Sequence, residues 1–548
     1  MNDGGSQEML KARRYRNLIL AAFAVLGVVW SVWIPTFEAV DEEDHLRYIH
    51  FIVRNHRLPV VNAPQPETPL QGHQAPAYHL LMAGAYRALF GVTEPPWLKL
   101  HPSWDPELLP DRPPLAYIHG DEERFPFTGV ARMIHVLRLG SVAIGVACLW
   151  FLYRGLAQVF PPPSVVPLVA LGWAAFLPGF AGACGRVGND CLAAAFGAAM
   201  LSQAAGVVGG RYQAKDWALF GLLAGLGTLS KLTVLPVAIG AVVTAAWFER
   251  REWRQLATGL GCFAICFAAI SGWWFWRNYC LYGDPTAISM TLRACKFHDS
   301  AWTVDFAAYR AYLAFKGYWG SFGHHSLDMS RWIYRAAGAL TLLWLATAAW
   351  RAWRQWPAWS NAVRGGVCVL MIAAAANVAA LLRFALFRSS TEGRYLFPTL
   401  AAHALIVGLA MTGLGAAFAR QPLRSARWLF ALSAGLGLLL LVFNQPVMAM
   451  ADGLIKQWVQ WKPRYMPLEF YLEQGRLLYR VGVGALLGCA AVAGALWAWE
   501  ARQTRRLGEE GAGRWWKERR FELALGWAAV MAGFNVFSLV KYVLPLCR

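Results

Sequence analysis

The sequence predicts an all-α polytopic membrane protein, and three observations carry that prediction. First, 57% of its 548 residues are hydrophobic and only 15% are charged, whereas soluble domains average about 25% charged residues. Second, apolar runs recur along the whole chain, many near the ~20 residues that a helix needs to cross a hydrocarbon core. Third, the basic residues gather in short clusters between alternate runs, which is the pattern of cytoplasmic loops. The formal charge of +19 would otherwise suggest a nucleic-acid partner. Dispersed in this way over alternate loops, it argues against one.

In chain order the candidate spans are 17–35, 130–159, 165–184, 190–208, 217–229, 234–248, 256–274, 332–350, 363–382, 396–418, 428–443, 478–499 and 521–544, a bundle of about 13 helices. The flank 1–16, with Lys11, Arg13, Arg14 and Arg16, keeps the N-terminus in the cytoplasm. No apolar run ends in a small-residue cleavage site, so the first span is expected to be an anchor. The short spans on either side of Ser230-Lys231-Leu232-Thr233 are read as separate, because merging them would place every later basic cluster outside. Three long loops, 36–129, 277–331 and 444–479, then face the exterior, and the loop 500–520 forms a basic cytoplasmic patch. Chemistry is expected on the external side.

The first external loop opens on Pro35-Thr36-Phe37-Glu38-Ala39-Val40-Asp41-Glu42-Glu43-Asp44-His45. Carboxylates and an imidazole at the mouth of a span suggest proton chemistry at the membrane surface. Two amphipathic helices follow. In 41–55, Leu46, Ile49 and Val53 form an apolar stripe, with Asp41, Asp44, His45 and Tyr48 on another face. In 75–90, Tyr78, Leu81, Ala85 and Leu89 form a second stripe. Both are too short to span and are expected to lie along the interface. Pro59, Pro64, Pro66 and Pro69 between them enforce extended turns.

Four motifs in order resemble a known superfamily. They are Asp41-Glu42-Glu43-Asp44-His45 followed by His73-Gln74-Ala75-Pro76-Ala77-Tyr78; Ser230-Lys231-Leu232-Thr233; Trp273 through Asn278-Tyr279 to Gly283-Asp284-Pro285; and Glu392-Gly393-Arg394-Tyr395-Leu396-Phe397-Pro398. The pattern is similar to the GT-C superfamily of polyprenyl-phosphate-dependent glycosyltransferases, in a bacterial branch with an Asp-Glu-x-x-His signature after the first span. The resemblance covers roughly residues 17–420, which implies a GT-C-like catalytic module there and additional helices in 421–548. The single departure, an alanine beside Pro76 where the family usually has a second proline, touches a turn rather than the chemistry.

The resemblance implies an inverting transfer of a sugar from a polyprenyl-phosphate carrier to an acceptor hydroxyl, on a glycan, lipid or protein, outside the bacterial cytoplasmic membrane. That chemistry requires a carboxylate as general base. Asp41 matches the position, with Glu42 tuning it or orienting the acceptor and His45 orienting Asp41. The lipid phosphate that departs gains negative charge, which guanidinium and ammonium groups stabilise. Arg394 is the first candidate for that role, then Arg388, Arg277 and Lys231. Asp190, in the turn Arg186-Val187-Gly188-Asn189-Asp190, could position the acceptor, bind a divalent Mg or Mn ion with Asp41, or simply open a helix. Metal use is left open.

The other residues narrow the field. Ten cysteines lack zinc spacing, and a Cys280–Cys295 disulfide is left open. The tryptophans read as interfacial belts, although Trp302, Trp319, Trp458 and Trp461 could stack on a glycan. Walker patterns are absent. A transporter or flippase of lipid-linked saccharide is the alternative. It would place ionisable groups in mid-span, whereas here they collect at span ends. A glycan polymerase or ligase would differ only in its acceptor.

Overall fold

The computed structural model describes residues 3–61, 71–102, 116–124, 126–210, 213–250, 252–290, 304–323, 327–385, 392–420 and 519–538. The expected spans 428–443 and 478–499, the loops 444–479 and 500–518, Arg388 and Cys295 lie outside the described residues. Two units are distinguished, one of residues 1–329, 355–408 and 524–548, the other of 330–354 and 409–523.

The fold is that of a multi-pass, mostly helical membrane protein. Among the described residues, six helices are long and apolar enough to cross a membrane by length and composition, or seven if a bent pair counts as one span. In the first unit, α1 (Asp3–Trp33) leads into the first loop, where α2 (Glu42–Asn55) and α3 (Ala77–Phe90) lie close to their expected bounds. On α2 the expected stripe of Leu46, Ile49 and Val53 is buried. On α3 the stripe is corrected. Tyr78, His79, Met82, Ala83 and Tyr86 face inward, while Leu81 and Leu89 are exposed.

Next come α4 (Gly129–Val159), then α5 (Val166–Ala175) and α6 (Pro178–Cys184). The last two were expected as one span, but they meet at 63°. Pro178 explains the break, because it has no N–H to continue α5 and is well suited to the first turn of α6. At the centre is α7 (Asp190–Val208), with the bounds expected from the sequence and 94% of its apolar window buried. Small residues dominate it and let neighbours approach closely. A β-carbon on Gly197 would lie 2.3 Å from the carbonyl oxygen of Pro398, so only glycine admits that strand of backbone.

The helices α8 (Ala214–Ser230) and α9 (Val234–Glu249) are separate, as expected, and Lys231 breaks away from α8 in an extended conformation. The helices α10 (Trp253–Phe267) and α11 (Trp273–Tyr282) are joined by one π-helical turn. The loop after them contains a helix that the sequence reading did not anticipate, α12 (Val304–Trp319), followed by a two-residue hairpin pairing Ser321 with Asp328.

In the second unit the described part is mainly α13 (Arg331–Gln355), where Arg351 donates to the Leu409 carbonyl at 2.8 Å. Although 25 residues long, α13 is not one of the six apolar spans, for its tryptophans and arginines lower its hydropathy. The first unit resumes with α14 (Asn361–Ala385) and a 3₁₀ segment, Gly393–Thr399, that runs into α15 (Leu400–Arg420), a helix whose residues from Leu409 onward are counted in the second unit. The last described helix is α16 (Arg520–Ser538).

Candidate active site

The site is built on the turn between α1 and α2, and a buried arginine shapes that turn. Arg138 on α4 donates to the carbonyls of Ser31 (2.8 Å), Ile34 (2.5 Å) and Pro35 (3.0 Å), one in the last turn of α1 and two just beyond it. It also makes a bidentate pair with Glu42, at 2.8 and 2.6 Å. Glu42 in turn accepts from the backbone N–H of Phe37 (3.1 Å) and Val187 (2.9 Å). The chain between these anchors turns sharply, with φ 65° at Phe37 and 63° at Asp41. A left-handed conformation at a non-glycine residue costs of order 1–2 kcal/mol, and the fully buried Arg138–Glu42 pair anchors the turn that contains both.

Asp41 sits at the N-cap of α2 without capping the helix through its side chain. Its carboxylate instead meets Arg394 at 2.5 Å. Arg394 also reaches Asp190 at 3.4 Å and pairs with Glu392. Asp190 is bound by Lys231 at 2.5 Å and by Arg186 at 2.9 Å. Three carboxylates (Asp41, Asp190, Glu392) and three cations (Arg394, Lys231, Arg186) thus form one mutually compensated cluster. Glycine again allows the placement. A β-carbon on Gly393 would lie 2.1 Å from backbone atoms of Ala314 and Tyr318, so α12 can pack directly on the segment that carries Arg394.

Burial works against the charge of Asp41, but the Arg394 guanidinium overrides it and holds the carboxyl below its ordinary value. The opposite holds for Asp44, where burial and then the carboxylates of Asp41 and Glu43 push the value up to about 7. Burial takes the His45 imidazole down to about 3 despite the nearby Asp41, so His45 is neutral at physiological pH. Glu43 is engaged by Arg47 at 2.5 Å and by the Tyr117 hydroxyl.

Of the residues singled out in the sequence, the structure brings Asp41, Asp190, Arg394 and Lys231 together. Glu42 faces Arg138 rather than the cluster, and His45 contacts His79 through Nδ1 at 2.9 Å. Arg277 is elsewhere, donating to the Pro59 carbonyl at 2.7 Å and lying 5.1 Å from the Trp274 ring. Arg138, Arg186, Glu392 and His79 were missed. An arginine inside an apolar span was the available signal for Arg138. The other three lie within or beside quoted motifs. Among the described residues no three His, Cys, Asp or Glu side chains converge as metal ligands, and Arg394 stands between Asp41 and Asp190.

Two cavities adjoin the cluster. A small one of about 60 Å³ is lined by Arg186, Arg394, Glu38, Trp30 and Phe322. A larger one of about 360 Å³ has Lys231, Tyr395 and His73 at its polar end and Leu235, Ile239, Leu381, Phe384 and Trp274 along its apolar walls. Lys231 lies 4.8 Å from the centre of the Tyr395 ring, a cation–π contact at the junction.

The segment 116–124 is strapped over this turn. Glu38 accepts from the Ala116 (2.8 Å) and Tyr117 (2.9 Å) amides and contacts His119 at 3.0 Å, while Glu123 accepts from the Thr36 amide at 2.9 Å and contacts His119 at 3.1 Å. Burial disfavours the His119 charge, yet the bonds to Glu123 and Glu38 raise it to about 9. The stabilisation is therefore complete below the ordinary histidine value and is lost as pH rises through 9. Glu123 acts in the opposite sense. Its value is lowered despite burial by the bonds to His119 and Thr36, so its contribution is lost on acidification. Protection of the Ala116 and Tyr117 amides against hydrogen exchange, corrected for intrinsic rate, is expected to fall between pH 6.5 and 9. Constant protection over that range would contradict the pairing.

Comparison with known proteins adds the following. Residues 130–276 match the profile of the family described as dolichyl-phosphate-mannose-protein mannosyltransferase. That family lies in the GT-C superfamily, so the profile and the motif resemblance agree over this segment. No curated protein matches the chain. Among solved structures, the chain is similar to ArnT from Cupriavidus metallidurans bound to undecaprenyl phosphate, at 15% identity and TM-score 0.45, over 95% of this chain and 77% of that one. It is also similar to the oligosaccharyltransferase of Archaeoglobus fulgidus, at 13% identity and TM-score 0.41, over 88% of this chain and 56% of that one.

Proposed function

We propose that the protein is an inverting glycosyltransferase that moves a sugar from a polyprenyl-phosphate carrier to an acceptor hydroxyl on the external face of the bacterial cytoplasmic membrane. The observation that carries this reading is the Asp41–Arg394–Asp190–Lys231 chain of ion pairs, set between a small cavity that Arg186 and Arg394 line and a larger, mainly apolar one that ends at Lys231. The match of residues 130–276 to a lipid-phosphate-sugar-dependent family supports it. An apolar groove ending at Lys231 suits a prenyl chain whose phosphate lies at the polar end. When that phosphate enters, it competes for the Lys231 and Arg394 donors. Arg394 then turns from Asp41 to the phosphate. Asp41 gains basicity and accepts the proton of the acceptor hydroxyl as that oxygen attacks the anomeric carbon and the lipid phosphate leaves. The cations neutralise the charge that grows on the departing phosphate.

The test is transfer of radiolabel from polyprenyl-phosphate monosaccharides by the protein in lipid nanodiscs, with mass spectrometry of co-purified lipids. Arg394→Ala is expected to lower kcat/KM for the lipid donor about 10²–10³-fold, the effect of losing one well-placed donor to a developing anion. Unchanged kinetics would remove the phosphate role. Movement of intact lipid-linked saccharide across the bilayer without bond cleavage would replace the enzyme by a flippase.

A further inference from the structure

We propose that Asn377 of α14 is a positioning residue for Arg394: it supplies a hydrogen bond that Pro398 cannot make, and so fixes the segment from which Arg394 reaches the charged cluster. What Arg394 does there rests on the glycosyl-transfer reading. The hold on the segment does not.

In a 3₁₀ helix each N–H bonds to the carbonyl three residues earlier. Within Gly393–Thr399 the residue placed to donate to the Tyr395 carbonyl is Pro398, and proline has no N–H. A neighbouring helix makes up the loss. Nδ2 of Asn377 donates to the Tyr395 carbonyl at 3.1 Å and to Oγ1 of Thr399 at 3.2 Å. That hydroxyl gives its own proton to the Leu396 carbonyl at 2.9 Å, so it meets Asn377 as an acceptor. With acceptors at both contacts, the nitrogen of the amide and not its oxygen must face the segment.

Asn377 is a polar interruption in one of the long apolar helices, between the apolar runs 371–376 and 378–382, and it is 2% exposed. A buried amide in such a place is costly unless it is bonded. Both of its bonds go to the segment that carries Arg394. The same face of α14 holds the Tyr395 side chain, because Leu381 and Phe384 follow Asn377 at helical spacing. Leu381 packs in one core cluster with Tyr395, and the Phe384 and Tyr395 rings lie 6.1 Å apart. On the other side of Arg394, the backbone of Gly393 lies against α12. Arg394 is thus held between two fixed neighbours. Its side chain can leave Asp41 for a phosphate while its backbone stays in place.

Asn377→Leu removes the donor at similar size. In hydrogen exchange read by mass spectrometry on the protein in nanodiscs, the peptide covering 393–400 should then exchange about tenfold faster, with the peptides of α7 unchanged. Pro398→Ala restores an N–H opposite the Tyr395 carbonyl. Made in that background, Asn377→Leu should accelerate exchange by less than about threefold. Equal acceleration in both backgrounds, or none in either, overturns the proposal. If Asn377→Leu does not fold, Asn377→Ala is read against the same two expectations.

Turnover separates a role at Arg394 from general loosening. With a radiolabelled polyprenyl-phosphate monosaccharide, Asn377→Leu is expected to lower kcat/KM about tenfold, but less than about twofold when Arg394 is already alanine. Losses that multiply would show that Asn377 does not act through Arg394, and the proposal would fail. The expected exchange pattern without transfer from any lipid-linked sugar would count against the glycosyltransferase reading instead.

Discussion

Asp41→Asn is expected to lower sugar transfer about 10²–10⁴-fold, the usual contribution of a positioned general base. Asparagine is the informative replacement because Asp41 has φ 63°, and asparagine tolerates the left-handed region better than other residues with a β-carbon. The turn should survive while the proton acceptor is lost. Initial rates at matched expression within twofold of the unmutated protein would exclude Asp41 as the base. The pH profile offers a second check. In the free protein the Arg394 guanidinium outweighs burial and keeps Asp41 ionised below the ordinary carboxylate range, so kcat/KM should lose nothing to this group between pH 7 and 5. Once donor phosphate has drawn Arg394 away, the opposing effect of burial remains. The acid limb of kcat should then lie at higher pH than that of kcat/KM.

Arg138→Met should cost about 3–5 kcal/mol of stability, as expected when one partner of a buried ion pair is removed and the other is left uncompensated. Against a typical stability of about 5–15 kcal/mol, that is a large loss. The variant also strips the carbonyls of Ser31, Ile34 and Pro35 of their donor. Thermal unfolding in detergent is the measurement. The double variant Arg138→Met with Glu42→Gln should regain part of the loss, since no buried charge is then left unpaired. Melting temperatures equal to the unmutated value in both variants would show that the pair does not hold the turn.

Much of the candidate cluster was legible because motifs place Asp41, Lys231 and Arg394 at span ends, as the turn 186–190 does for Asp190, and hydropathy puts those ends at predictable positions. The bounds of Asp190–Val208 were recovered from hydropathy alone. What stayed hidden depends on tertiary contact. Nothing in the order Asp41-Glu42 says that the two carboxylates diverge, one to Arg394 and the other to Arg138. The stripe on Ala77–Phe90 was misread for a different reason. Periodicity locates an apolar stripe but does not say which face the neighbouring helices cover, and Leu81 and Leu89 are exposed. Pro178 was visible in the sequence, but a 63° bend inside an uninterrupted apolar run needs a backbone to reveal it. Arg277 shows the limit of motif order, because its position in sequence carried no information about its distance from the cluster.

Gly197 and Gly393 have a consequence for how such a site can change over time. Both fix the segment that carries Arg394 by bare backbone lying on backbone, with 2.3 and 2.1 Å left for any β-carbon. Surrounding apolar side chains can drift in size without displacing the arginine, because they do not set its position. Any mutation of either glycine, even to alanine, would move it at once. The site is thus tolerant of gradual repacking and brittle at these two points, so new specificities are more readily reached by altering the cavity walls than by shifting the charged cluster itself.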